Sequence, residues 1–136
     1  MTREEIIRFI NENQACHLAT VEDGKPRVRG MMAYRADPSG VIFHTGTAKS
    51  LAQQIRKNPH VEACFNSKDM QVRVSGVAEI LEDLALKKEI VAARPFMKPW
   101  VEAHGYGLLV VFRITQCEAA VWTMATNQEP TKFQKI

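Results

Sequence analysis

The chain has 136 residues, with 18 Lys and Arg against 15 Asp and Glu, and a formal charge of +3. That length predicts one domain, 1–136, with a radius of gyration of about 14 Å and a core that needs no staples. The weak, scattered positive charge and only two tyrosines argue against a nucleic-acid module.

Residues 2–12 are expected as an amphipathic helix. Thr2 caps it, Glu5 completes a capping box, and Ile6, Phe9 and Ile10 form its apolar stripe. The opening MTREEIIRFINENQ has no secretory apolar stretch. A strand at 15–22, ACHLATVE, meets the hairpin signal Asp23-Gly24. The returning strand is 25–35, with Pro26 tolerated at its start. Asp37 to Gly40 turn into a third strand at 41–45. A helix at 47–57 stops before Asn58-Pro59. Strands at 61–66 and 71–81 precede a helix from Asp83 to Ala93. Pro95 and Pro99 bracket an irregular segment, 94–105. Strands at 106–114 and 118–124 lead to a polar tail. A hairpin-rich order without parallel repeats predicts a mostly β fold with helices, a small antiparallel barrel. The apolar last third, with Trp100, Tyr106, Phe112 and Trp122, predicts burial in part against a second copy.

No apolar run reaches the length of a membrane span. Cys16, Cys64 and Cys117 are far apart and form no CxxC pair, so neither a zinc site nor a disulfide framework is expected. The four histidines lack metal-site spacing, and no metal is expected. A reducing cytoplasm is the expected location.

The densest chemistry lies at 43–59, FHTGTAKSLAQQIRKNP. A strand ending in Phe43, His44 and Thr45 runs through Gly46 into a helix, with Thr47 as its cap and Lys49 and Ser50 in the first turn. Hydroxyls, an ammonium and unpaired backbone N–H groups there favour an anion and predict a phosphate-binding turn of a non-Walker type. The competing reading is an ordinary junction with a surface lysine. On the second strand, KPRVRGMMAY, Arg27 and Arg29 share one face, while Val28, Gly30 and Met32 take the other. An arginine fork matches phosphate oxygens. Two solvent-facing arginines are the alternative. His44 is open between a satisfied structural histidine and a ligand contact. Trp122 is open between core or dimer interface and the wall of a partner's site.

Three segments, CHLATVEDGKPRVRG, IFHTGTAKSLAQQIRKNPHVE and QVRVSGVAEILED, resemble in order and spacing the FMN-binding split barrels of the pyridoxamine 5'-phosphate oxidase-like superfamily. The short single-domain members, nitroimidazole-reductase-like proteins among them, are the most similar. The resemblance implies a split β-barrel and a homodimer with FMN at the subunit interface. It places Arg29, Thr45, Lys49 and Ser50 around the FMN phosphate, with Arg27 the nearest substitute. Met31 and Met32 would lie beside the isoalloxazine ring, and Arg73 would be a polar group on the cofactor side. The turn HTGTAKS is shorter than the family's, which implies contacts from Thr47 and Ser50. The tail TNQEPTKFQKI lacks the arginine-rich extension of the full-length oxidases, so vitamin B6 oxidation is not the expected reaction. The implied function is electron or hydride transfer to a small molecule, with NAD(P)H as a donor. The alternative is a non-catalytic FMN carrier, sensor or electron-transfer module. Relatives that bind deazaflavin F420 or haem are further alternatives.

Overall fold

Alternating apolar residues and short turns build eight strands and four α-helices in the computed structural model, which describes residues 1–136. Helix α1 (Arg3–Glu12) starts at the Thr2–Glu5 capping box and buries Ile6, Phe9 and Ile10. Strands β1 (Ala15–Glu22) and β2 (Lys25–Met32) form the hairpin around Asp23-Gly24, both in the left-handed region. Strands β3 (Arg35–Asp37) and β4 (Gly40–Gly46) form a second hairpin. Helix α2 (Ser50–Lys57) leads to β5 (His60–Asn66) and β6 (Met70–Leu81). Helices α3 (Leu84–Ala93) and α4 (Lys98–His104) precede the long β7 (Leu109–Thr123), and β8 (Gln134–Lys135) closes the chain. No helix is long and apolar enough to cross a membrane.

The expected small antiparallel split β-barrel does not form, because the sheet does not close on itself. The strands make one antiparallel eight-stranded sheet in the open order β2-β1-β5-β6-β7-β4-β3, with β8 beside β7. Its ends, β2 and β3, are consecutive in sequence and do not ladder together. At Ala33 and Tyr34 the chain leaves β1 and turns to β4: Ala33 N–H donates to Gln14 O and Tyr34 N–H to Ile42 O. Helices α1 and α2 pack at the gap, α1 against β3 and α2 against both β1 and β4. A mixed fold with a large open sheet is the result.

The inner face of this sheet wraps the larger core, which joins Ile6 and Phe9 of α1, Leu51 and Ile55 of α2, and Leu18, Phe43, Phe65, Val74 and Phe112 of the strands. A smaller core on the outer face of β4 and β7 holds Ile42 and Val111 against Leu86, Ile90 and Val91 of α3.

Three local expectations are corrected. The strand expected at 25–35 is two strands, because Ala33 and Tyr34 change partner. The segment 94–105 is helical, a 3-10 turn at Pro95–Met97 followed by α4. Pro99 falls in the first turn of α4, where its missing N–H has no intrahelical partner to lose. The last two expected strands are one, β7. Between the pairs Ser75–Glu118 and Val77–Thr115 the register shifts, so Gly76 alone opposes Gln116 and Cys117. Gln116 absorbs the extra residue at φ +53°, as in a β-bulge.

Candidate phosphate-binding site on the second strand and second helix

Strand β4 ends in Phe43, His44, Thr45 and Gly46, and pleating sends His44 and Thr45 to opposite faces. Thr45 lies opposite Val110 and is buried with the larger core, whereas His44 lies opposite Val111 on the α3 side. The chain then turns through Thr47 and Ala48. Thr47 N–H donates to Leu108 O, and Lys49 N–H donates back to Gly46 O. Helix α2 therefore begins at Ser50, and Lys49 occupies the N-cap with no side-chain capping bond. Thr47 is exposed and does not cap the helix, contrary to expectation. Gly46 is outside the left-handed region, so the turn does not depend on glycine there. The first turn of α2 contains no acidic residue. Its free N–H groups and Lys49 therefore present only positive potential.

Arg29 reaches this helix from β2. Register places it opposite Leu18 and Arg27 opposite Thr20, so both arginines point to the inner face. The Nη1 of Arg29 donates to Leu18 O at 3.1 Å and to Thr20 Oγ1 at 2.9 Å, and its Nη2 donates to Gln54 Oε1. Gln54 lies four residues after Ser50, one turn along the same helix face. Thr20 donates to Gln54 Oε1 at 2.7 Å, and Gln54 Nε2 donates to Glu22 Oε2 at 3.1 Å. Arg27 Nε sits 3.4 Å from Glu22 Oε1. Burial pulls the Arg29 guanidinium pKa down while the Glu22 carboxylate opposes that shift. The Gln54 amide, and Arg27 after it, hold the Glu22 carboxyl below its usual value.

The remaining expected site residues divide between the faces. Met31 lies opposite Cys16 and packs against the larger core. Met32 lies opposite Ala15 on the outer face and is 54% exposed. Arg73, opposite Cys64 on that outer face, bonds both carboxylate oxygens of Glu62 and lies 5.4 Å from the centre of the Phe133 ring. Trp122 is also on the outer face, opposite Gln71, and its indole N–H donates to Asn127. Within one chain, then, Arg27, Arg29, Met31 and Thr45 share the inner face with the α2 helix. Met32, His44, Arg73 and Trp122 stand on the other side of the sheet. Of the aromatic residues expected to be hidden, Phe112 is fully buried, but Trp100 is 55% exposed beside Phe96.

Several residues of this arrangement are absent from the sequence reading. Thr20 and Gln54 carry a signal in retrospect. Each is a polar residue inside an apolar stripe, Thr20 after Cys16 and Leu18, and Gln54 between Leu51 and Ile55. Buried polar groups of that kind need partners. Arg94 carries no such signal. It bonds Met32 O, Ala33 O and His44, and stacks on Tyr34.

The chain is similar to several known proteins. Over 95 residues the chain is 35% identical to the pyridoxine/pyridoxamine 5'-phosphate oxidase of Haemophilus ducreyi, covering 68% of this chain and 45% of that protein. The chain thus spans under half the length of that relative. General stress protein 26 of Bacillus subtilis is 27% identical over 119 residues, covering 82% of this chain and 81% of its own. Among solved structures, a NimC/NimA family protein from Clostridium acetobutylicum superposes with TM-score 0.79 at 21% identity, over 98% of this chain and 92% of that one. General stress protein 26 from Bacillus anthracis gives TM-score 0.73 at 21% identity, over 98% and 97% of the two chains. These two structures speak for the fold. The family model described as pyridoxamine 5'-phosphate oxidase matches residues 2–123. Matched from α1 to the end of β7, the chain belongs to the pyridoxamine 5'-phosphate oxidase family.

Proposed function

We propose that this chain binds FMN and acts as an FMN-dependent oxidoreductase on a small molecule. The observation that carries the reading is the Arg29 fork held against α2, whose N-terminus begins at Lys49 and Ser50 without an acid or a side-chain cap. A guanidinium, an ammonium and free backbone N–H groups are the donor set a phosphate monoester dianion needs. When bound, the flavin accepts and returns electrons or a hydride, so the protein needs no acid–base pair of its own. The task of Arg29, Lys49 and Ser50 is to hold the phosphate and fix the ring's position. Thr47 is exposed beside them, and Arg27 is tied to Glu22 and stands in reserve.

The reading extends to a homodimer with flavin sites at its seam. Its support is the outer face of β2, β1 and β5 with the adjoining parts of β6 and β7, which the smaller core leaves uncovered. Val28 at 69%, Met32 at 54% and Trp122 at 37% exposure line that face. A second copy seated there would bring its own Trp122 and Arg73 towards the flavin.

The test is spectroscopic and then kinetic. Protein purified without added cofactor should show a flavin spectrum, distinct from those of deazaflavin and haem. Apo-protein titrated with FMN, FAD and riboflavin should rank FMN tightest. Riboflavin binding as tightly as FMN would contradict the phosphate site. Holo-protein that consumes NAD(P)H with an artificial acceptor is an enzyme; negligible turnover would leave a carrier or sensor.

A further inference from the structure

We infer that Gln54 and Thr20 are positioning residues that set the Arg29 guanidinium for phosphate. This inference rests on the phosphate site proposed above. Three groups form a closed ring of hydrogen bonds. Arg29 donates from Nη1 to Thr20 Oγ1 and from Nη2 to Gln54 Oε1, and Thr20 donates to that same Gln54 oxygen. Both acceptor positions of the Gln54 oxygen are thereby filled. Its amide cannot flip without breaking the ring, because Nε2 is held by Glu22 Oε2. Glu22 therefore fixes which end of Gln54 faces Arg29.

Burial makes the ring rigid. Thr20 is 1% exposed and Gln54 is 4% exposed, so neither side chain has room for another rotamer. The arginine they hold is half-buried. Of the five N–H donors of its guanidinium, Leu18 O, Thr20 and Gln54 take three. The rest stay free for a ligand. A free arginine loses much rotamer freedom on binding an anion, and an anchored one loses little. The ring thus supplies preorganisation without touching the ligand.

A residue serving the fold alone would weaken all flavins together. A residue that orients Arg29 weakens only those with a phosphate. Kd values for FMN and riboflavin, measured by flavin fluorescence on the full-length apo-protein, separate these roles in Gln54→Met, Thr20→Val, Thr20→Ser and Arg29→Ala. Gln54→Met and Thr20→Val should each weaken FMN about tenfold and leave riboflavin within about twofold. Thr20→Ser keeps the hydroxyl and should restore FMN binding. Should Gln54→Met not fold, the Thr20 pair decides the matter. The inference is overturned if Arg29→Ala loses FMN selectively while Gln54→Met and Thr20→Val bind FMN as wild type, or lose both flavins in equal proportion. If Arg29→Ala loses no selectivity, the phosphate site itself is wrong, and this inference falls with it.

Discussion

Nη1 of Arg94 lies 2.7 Å from Nε2 of His44. A guanidinium can only donate, so His44 accepts at Nε2 and carries its proton on Nδ1. Burial, then Arg94, then Lys49 push the His44 pKa down from 6.5 to about 4. The unfolded chain therefore binds a proton at higher pH than the folded one. Stability from this group is whole above pH 6.5 and falls as pH drops towards 4. Urea midpoints should be lower at pH 5 than at pH 7. His44→Gln keeps an acceptor for Arg94 and should flatten that difference. A wild-type midpoint equal at the two pH values would refute the assignment.

Removing a charged donor from the phosphate should weaken FMN binding by about 1.5–3 kcal/mol. Arg29→Ala and Lys49→Ala should each show this loss for FMN and almost none for riboflavin. Isothermal titration of both flavins checks it. Two variants that bind FMN like wild type would shift attention to Arg27.

Phe43 and Phe112 are neighbours across β4 and β7, fully buried, with ring centroids 5.4 Å apart and planes 12° from parallel. Phe112→Ala leaves a cavity in the larger core and should cost about 3–5 kcal/mol. Chemical denaturation measures it, and a loss below about 1 kcal/mol would contradict the packing described.

A Cβ on Gly76 would stand 2.5 Å from Thr115 O and 2.6 Å from Ile114 Cγ2, inside the bulge. Gly76→Ala should therefore cost about 1–3 kcal/mol through overpacking. Gly107 has nothing within 4 Å of its would-be Cβ. Gly107→Ala should be near neutral; chemical denaturation compares the two variants, and equal effects at the two sites would discredit the bulge.

Met32→Asp places a charge on the uncovered outer face. If two copies meet there, light scattering at low micromolar concentration should give twice the chain mass for wild type and a lower mass for the variant. FMN affinity should fall with the dimer, since each site would lose its wall. A wild-type monomer that keeps FMN would remove the interface and the shared site together.

Local chemistry was legible in the sequence wherever neighbours along the chain decide the outcome. The Thr2–Glu5 box started α1, Asp23-Gly24 turned the first hairpin, and alternation put Arg27 and Arg29 on one face. Proline misled at 94–105, because a first-turn position and a helix break look alike without knowing where the helix begins. Thr47 misled for the same reason: the turn at Gly46 to Lys49 delays α2 to Ser50. The continuous β7 was hidden because a bulge belongs to a pair of strands, and Gly76 lies about forty residues from Gln116.

Composition and periodicity by themselves determined an antiparallel, hairpin-built sheet with amphipathic helices, and motif order pointed to the family. Only tertiary structure decided that the sheet stays open and that Met32, Arg73 and Trp122 face away from Arg29. It alone joined Thr20, Arg29 and Gln54 into one ring. The physical reason is range. A turn or a cap is settled within a few residues by backbone sterics and local hydrogen bonds, whereas strand partners and buried polar contacts are settled by which distant surfaces the shared core brings together.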